Sequence, residues 1–347
     1  MSTTLKNRIT LTSGLRGTAL LLAVSFSILA AGTPAQAAST TTFDVPGATN
    51  TLPAAINDSG TITGMFTRPR FHRHGFVRAP DGTFEVFHVK SEGDGNGENA
   101  TYPVSINRHG AVAGYYQDRD EVPHGFLRNP GGKITLFDVS GALYTKPVGI
   151  DDSGAVAGQY RGSDYVERGF VRAPDGTITS FDVSGAIATT VSSMNGKGEI
   201  SGLYVVTEGT AYGFVRGTDG TITTYDVDGQ SATYPGDIAA NGAVTGFYIQ
   251  GSDDLGFVRM PDGTIVTFSA QDAYFTDGTA IDSAGAVAGE YDSGTGEHGF
   301  LRSKTGKIAV IDVPDKSLTY PMAINRAGAV TGDCYDTNGF HGFIRTP

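Results

Sequence analysis

The chain has 347 residues, with 25 basic and 36 acidic side chains for a formal net charge of −11, 49 glycines and a single cysteine, Cys334. So acidic a chain argues against binding nucleic acid or an anionic membrane surface through its net field. One cysteine excludes an intrachain disulfide, which leaves Cys334 as a buried free thiol.

The first segment in chain order is a leader. Lys6, Arg8 and Arg16 precede the apolar run TALLLAVSFSILAA, and Ala35-Gln36-Ala37 is a small-residue cleavage site, so residues 1–37 are expected to be a secretory signal peptide. Its removal leaves 22 basic against 36 acidic residues, a net charge of −14. No cysteine stands near the cleavage site to take a lipid, and no later apolar run is long enough to span a bilayer. The expectation is a soluble protein, periplasmic or secreted.

From residue 38 onward the sequence repeats itself. AINDSGTITGMF from Ala55, SINRHGAVAGYY from Ser105, GIDDSGAVAGQY from Gly149, SMNGKGEISGLY from Ser193, DIAANGAVTGFY from Asp237, AIDSAGAVAGEY from Ala280 and AINRAGAVTGDCY from Ala323 are versions of one block. Their turn glycines, Gly60, Gly110, Gly154, Gly198, Gly242, Gly285 and Gly328, are spaced 50, 44, 44, 44, 43 and 43 apart, giving seven units. A second block follows each, as HGFVRAPDGT from His74, HGFLRNPGGK from His124 or HGFLRSKTGK from His298.

Each unit reads as four short strands divided by turns: a T-x-P-x-x-I segment, an alternating A-V-A-G-Y-Y segment, G-F-V-R, and T-I-T-L-F-D-V after a P-D-G hairpin turn. Four strands in about 40 to 45 residues is the size of one propeller blade. The segment TTFDV from Thr41 is a fourth strand without its first three, and GFIRTP from Gly342 is a third strand without its fourth. Joining them completes a last blade and limits exposed sheet edges. The expected fold is all-β, a seven-bladed β-propeller over residues 38–347, rather than an open solenoid.

Units of the form I-N-x-x-G-x-V-x-G-x-Y followed by H-G-F-V-R resemble the bacterial HAF-type extracellular repeat family, with HGF where that family often has HAF. The resemblance covers essentially the whole chain after the leader. It implies an exported propeller-like protein and brings no settled activity or catalytic residues.

Four units carry a histidine before the G-F pair, which invites a metal site. Counting outward from a hairpin in which Ala79 opposes Thr83 instead sets His124 against Asp138, Arg168 against Asp182, Tyr212 against Asp226 and His298 against Asp312. Ring closure sets His341 against Asp44, while Leu255 meets Ser269 and His74 meets His88. This is the pattern of a cross-strand partner. The arginine that ends G-F-V-R occurs in all seven units and is likewise expected to be structural.

Chemistry is sought where the units differ. The loops between second and third strands, and those entering the next unit, vary and should share one face. At its mouth stands one changeable residue behind an invariant threonine: Leu52, Tyr102, Lys146, Thr190, Tyr234, Asp277 and Tyr320. The candidate ligand-binding residues are Tyr102, Lys146, Tyr234, Asp277 and Tyr320, which offer aromatic faces and charges to a sugar. Arg68, Arg70 and His72 in TRPRFHR join them as candidates for a carboxylate or sulfate.

The insertion KSEGDGNGENAT brings Glu92, Asp94 and Asn96 ahead of Gly97, a weak calcium-loop pattern in which Pro103 replaces the closing glutamate; no other cofactor is expected. No G-x-S-x-G, P-loop, H-E-x-x-H or C-x-x-C string is present. The leading expectation is an exported, non-catalytic binding propeller for a glycan or other cell-surface ligand. The alternatives are a lyase or hydrolase for an acidic polysaccharide, with Tyr102, Tyr234 or His72 as base and Lys146 or Arg70 neutralising the substrate, and a scaffold for a protein partner.

Overall fold

A computed structural model describes residues 38–69, 73–90, 100–229 and 232–347. The expected signal peptide lies outside the described residues. Every helix or strand among them is a strand, 28 in all. They form five four-stranded antiparallel sheets and one eight-stranded sheet, whose two antiparallel parts are joined by a single parallel pair, Asp254 with Phe275.

One sequence unit shows the common plan. Ala100–Ile106, Val112–Gln117, Pro123–Arg128 and Ile134–Phe137 meander as neighbours in one sheet. Alternation of buried and exposed residues along each strand follows from the two-residue period. The strand Ser39–Phe43 pairs antiparallel with Gly339–Thr346, so the two ends of the described chain share a sheet, as the split unit in the sequence implies.

The turns follow from their residues. In the P-D-G hairpin the Ala79 amide donates to Thr83 O at 2.8 Å, the Thr83 amide donates to Asp81 Oδ1 at 2.9 Å, and Gly82 takes the left-handed conformation at φ 91°. In the N-x-x-G turn Asn57 Oδ1 accepts the amides of Ser59 and Thr61. Its Nδ2 then donates to Asn107 O of the next unit at 3.1 Å, Asn107 donates to Asp151 O at 2.9 Å, and Asn325 donates to Asn57 O at 3.1 Å. The last unit is thereby tied to the first.

The core is built from one phenylalanine of each third strand, Phe76, Phe126, Phe170, Phe214, Phe257, Phe300 and Phe343, all fully buried. In every unit but the one with Ile311, a ring at the end of the fourth strand covers the glycine beside it. A Cβ on Gly125 would meet the Phe137 ring at 2.7 Å, too close for any real side chain. The next unit's arginine lies over that same ring: Arg172 over Phe137 at 5.0 Å, Arg216 over Phe181 at 4.9 Å and Arg302 over Phe268 at 4.9 Å. The seven threonines that precede the changeable position also tie units together. Thr101 Oγ1 accepts the Val89 amide at 3.0 Å, and Thr51, Thr145, Thr189, Thr233, Thr276 and Thr319 repeat the bond.

The histidines take cross-strand partners. His124 Nδ1 lies 2.9 Å from Asp138, His298 Nδ1 2.8 Å from Asp312, His341 Nδ1 2.8 Å from Asp44, and Arg168 Nε 3.2 Å from Asp182. His74 meets His88 edge to face, with ring centroids 5.9 Å apart.

Two predictions follow from these contacts. Gly125→Ala drives a methyl group into the Phe137 ring, whereas Gly299 faces the smaller Ile311, where the nearest atoms to a new Cβ lie at 3.0 to 3.3 Å. Urea denaturation should show a loss of about 1–3 kcal/mol for Gly125→Ala, the range of core overpacking, and a smaller loss for Gly299→Ala. The second concerns His341. Burial lowers its pKa, but hydrogen bonds to Asp44 and Asp336 outweigh burial, and the net shift is upward from 6.5. A raised folded-state pKa gives stability that is fully present below the ordinary histidine range and is lost as pH climbs through the raised value. His341→Gln should therefore flatten the fall in melting temperature from slightly acidic to alkaline pH; an unchanged slope counts against the Asp44 and Asp336 bonds as its source.

Candidate functional site

The changeable residues stand at one register position on the first strands. Just past each, the pairing with the second strand shifts: Pro103 pairs with Gly114 but Ser105 with Ala113, and the same irregularity recurs in every unit. Such a bulge re-aims the side chains beside it. The glycine opposite is obligatory, because a Cβ on Gly114 would collide with Tyr102 O, as one on Gly158 would with Lys146 O and one on Gly289 with Asp277 O.

Each changeable residue therefore has a fixed cross-strand partner. The pairs are Leu52 with Met65, Tyr102 with Tyr115, Lys146 with Gln159, Thr190 with Leu203, Tyr234 with Phe247, Asp277 with Glu290 and Tyr320 with Asp333. The partners were missed from the sequence. Their signal is the variable residue inside the otherwise regular G-x-Y segment of the second strand.

One part of the row is aromatic and cationic. The Tyr102 and Tyr115 rings stack at 4.7 Å between centroids, Lys146 Nζ lies 5.0 Å from the Tyr115 ring and the Arg73 guanidinium 5.7 Å from the Tyr102 ring. Tyr102 Oη donates to Gln117 Oε1 at 2.9 Å, which turns the phenol toward the loop between second and third strands. Burial pushes the Tyr102 phenol above its ordinary pKa, more than the nearby Arg73 lowers it. That is the wrong direction for a base. Tyr234 and Phe247 form a second stack at 4.8 Å. Arg68 lies over Phe66 of its own unit at 5.3 Å.

The other part is acidic. Asp277 and Glu290 are directly opposed like charges, a pairing that costs stability unless something relieves it. Burial and then Asp254 push the Asp277 carboxyl up to about 6. Burial, Asp277 and Glu297 push Glu290 up to about 7. Asp333 is only 7% exposed, and burial with Glu290 pushes it up to about 7 as well. Tyr320 Oη donates to Glu297 and is raised by burial and that carboxylate, so it too is a poor base. Behind Asp333, Cys334 is fully buried, and desolvation pushes its thiol up to about 12, which makes it inert.

Among the described residues no three histidine, cysteine or carboxylate side chains converge to hold one metal ion. Arg70, His72, Glu92, Asp94 and Asn96 lie outside the described residues. The row thus brings Tyr102 together with Lys146 through Tyr115, and Asp277 with Tyr320 through Glu290.

The sequence matches no family model and no curated protein. Solved structures are similar in fold. A catalytically inactive virginiamycin B lyase from Staphylococcus aureus, solved with quinupristin, superposes with a TM-score of 0.59 at 11% identity, over 89% of this chain and 99% of that one. A streptogramin B lyase gives 0.57 at 11% identity, over 89% and 98%. A prolyl endopeptidase gives 0.62 at 12% identity, over 87% of this chain but 51% of the other. The chain is thus an all-β protein of four-stranded antiparallel sheets with a propeller-like fold. At these identities the likeness extends to the fold alone.

The acidic part of the row yields a stability test. A carboxyl whose pKa is raised on folding binds its proton more tightly in the folded chain, so stability declines as pH rises from the ordinary carboxylate range toward 7. Glu290→Gln should raise the melting temperature at pH 8, leave it nearly unchanged at pH 4, and so reduce its fall between them. A lower melting temperature at pH 8 would show that the Glu290 charge is compensated.

Proposed function

We propose that this chain is an exported, non-catalytic binding propeller of seven four-stranded blades, of the HAF-type repeat kind, which takes a glycan on its variable face. Its signal peptide would be removed on export to the periplasm or beyond. The observation that carries the reading is the row itself: one backbone position, repeated in every unit and held by the same bulge, displays five different residue types in seven units, with tyrosine at three of them. The Tyr234–Phe247 stack supplies flat rings for a sugar to cover, the Tyr102–Tyr115 stack between Arg73 and Lys146 supplies ring edges and cations, and Asp277 and Tyr320 supply polar contacts that would orient hydroxyl groups. No calcium or other cofactor is part of this reading.

A second reading is hydrolysis or elimination in an acidic polysaccharide. It is favoured by Glu290 and Asp333, carboxyls pushed up to about 7 and hence proton donors near neutrality. The first reading is preferred because burial raises the Tyr102 and Tyr320 phenols, away from base character.

Native affinity electrophoresis of the mature chain through gels containing neutral, uronate-rich or sulfated polysaccharide, stained afterwards for polymer, separates the readings. Retarded migration over intact polymer is expected, with mobility restored by Tyr102→Ala or Tyr234→Ala. A cleared zone around the band would establish the enzyme instead. Unchanged migration in every gel would end the glycan reading and turn attention to a protein partner.

A further inference from the structure

Among the described residues two lysines, Lys146 and Lys316, are partly buried, and the others are exposed. Lys316 meets its loss of water with a carboxylate, donating to Asp336. Lys146 has no carboxylate partner among the described residues; its ammonium lies 5.0 Å from the Tyr115 ring, and the residue opposite it across the strands is the neutral Gln159. Drawing a charge in from water without a counter-charge is costly. Acids are not scarce, since the chain after the leader has 36 acidic against 22 basic residues. Arg73, exposed and likewise without a carboxylate partner among the described residues, lies 5.7 Å from the Tyr102 ring.

These four side chains form one assembly drawn from three successive units. Tyr102 and Tyr115 stack at 4.7 Å with their planes 15° apart, Arg73 of the preceding unit lies by the first ring, and Lys146 of the following unit lies by the second. Each ring gives one face to the other ring and has a cation beside it. What the assembly offers a ligand is therefore two cations and the ring edges between them, in contrast to the Tyr234–Phe247 stack, which has no cation over it. Tyr102 Oη is tied to Gln117, an uncharged partner. Glu121 is the carboxylate that acts on the Tyr102 phenol, more weakly than Arg73 does, and it is exposed.

We propose that Lys146 and Arg73, at the two ends of the Tyr102–Tyr115 stack, take the carboxylates of an acidic polysaccharide, a polymer of uronic acid. This inference rests on the glycan-binding reading and names the charge class of its ligand. The ammonium and the guanidinium donate charge-assisted hydrogen bonds to carboxylates that the chain itself does not supply. Partial burial of Lys146 lowers the local dielectric and strengthens that attraction. A carboxylate is a more basic acceptor than a sulfate ester, so it compensates a partly desolvated ammonium better. A polymer with an acid on each sugar can meet both cations with one stretch of chain. The net charge of the protein opposes a polyanion at long range, but charges farther than about 8 Å are largely screened at physiological ionic strength, so the two nearby cations set the attraction at this place.

The test is affinity electrophoresis of the mature chain over a range of polymer concentrations, in gels of pectate, alginate, methyl-esterified pectin or esterified alginate, with each mobility referred to a polymer-free gel. The esters keep the backbone and remove the charge. At least one acid polymer is expected to retard the chain, with an apparent Kd at least about tenfold lower than that of its ester, the effect of one charge-assisted contact. Lys146→Gln should lose that difference at an unchanged melting temperature, which shows that it is folded, and Lys146→Arg should keep it. Equal retardation by acid and ester, or an undiminished difference in Lys146→Gln, overturns the role of the cations and leaves the glycan reading standing. Retardation by a neutral polysaccharide but by no uronate overturns the uronate class alone. Failure of every polysaccharide to retard the chain overturns both readings. Dextran sulfate binding more tightly than either acid polymer, with the same loss in Lys146→Gln, would assign the cations to sulfate and overturn the uronate class.

Discussion

The fold depends on how an aromatic ring at the end of the fourth strand, present in all units but one, is shared between two units. Phe137 lies on Gly125 of its own unit, receives the edge of Phe170 from the next at 6.2 Å, and sits under Arg172 of that next unit. Phe87, Phe181, Tyr225 and Phe268 make the equivalent edge contacts. Remove the ring and three things fail together: the glycine loses its cover, the buried phenylalanine its neighbour and the guanidinium its face. The exception supports this view. Where Ile311 replaces the ring, an aliphatic side chain packs in its place with Val313, Val330 and Phe343. The arginines accept this placement although their Nε atoms at residues 78, 128, 172, 216, 259 and 302 are buried without a hydrogen-bond partner. The aromatic face and packing of the stem outweigh that loss.

Much of this architecture was legible because it is periodic. A P-D-G hairpin fixes register locally, and a period of two carries it outward without error. Counting from Ala79 and Thr83 was therefore enough to pair His124 with Asp138 and His341 with Asp44, even though the latter two stand 297 positions apart. The same periodicity exposed the changeable residues behind the invariant threonine. The structure gives that threonine its reason, since its hydroxyl holds the last residue of the preceding unit's fourth segment.

The site was less legible than the scaffold. Tyr102 was read as a ring open to a ligand, yet one of its faces is taken by Tyr115 and the Arg73 guanidinium also lies by its ring. Glu290 and Asp333 were not singled out at all. Both gaps have one cause: the pairing of first and second strands passes through a bulge, and a bulge shifts register by a residue that no alternating pattern announces. Without the bulge, Tyr102 and Tyr115 read as residues of separate strands rather than as a stacked pair. Asp277 likewise reads as a single charge rather than as half of a repulsive pair.

The bulge also explains why one position can vary while its surroundings cannot. What the fold requires there is a backbone feature, the carbonyl of the changeable residue pressed against a glycine of the second strand. That constraint falls entirely on the glycine, which can bear no Cβ, and leaves the side chain of the changeable residue unconstrained by the scaffold. Its partner in G-x-Y points to the same side and is free for the same reason. The two freedoms combine into a patch whose chemistry can be reset unit by unit at little cost to the shared rings beneath. A row that runs from stacked tyrosines and lysine to opposed carboxylates is what such a division of labour permits.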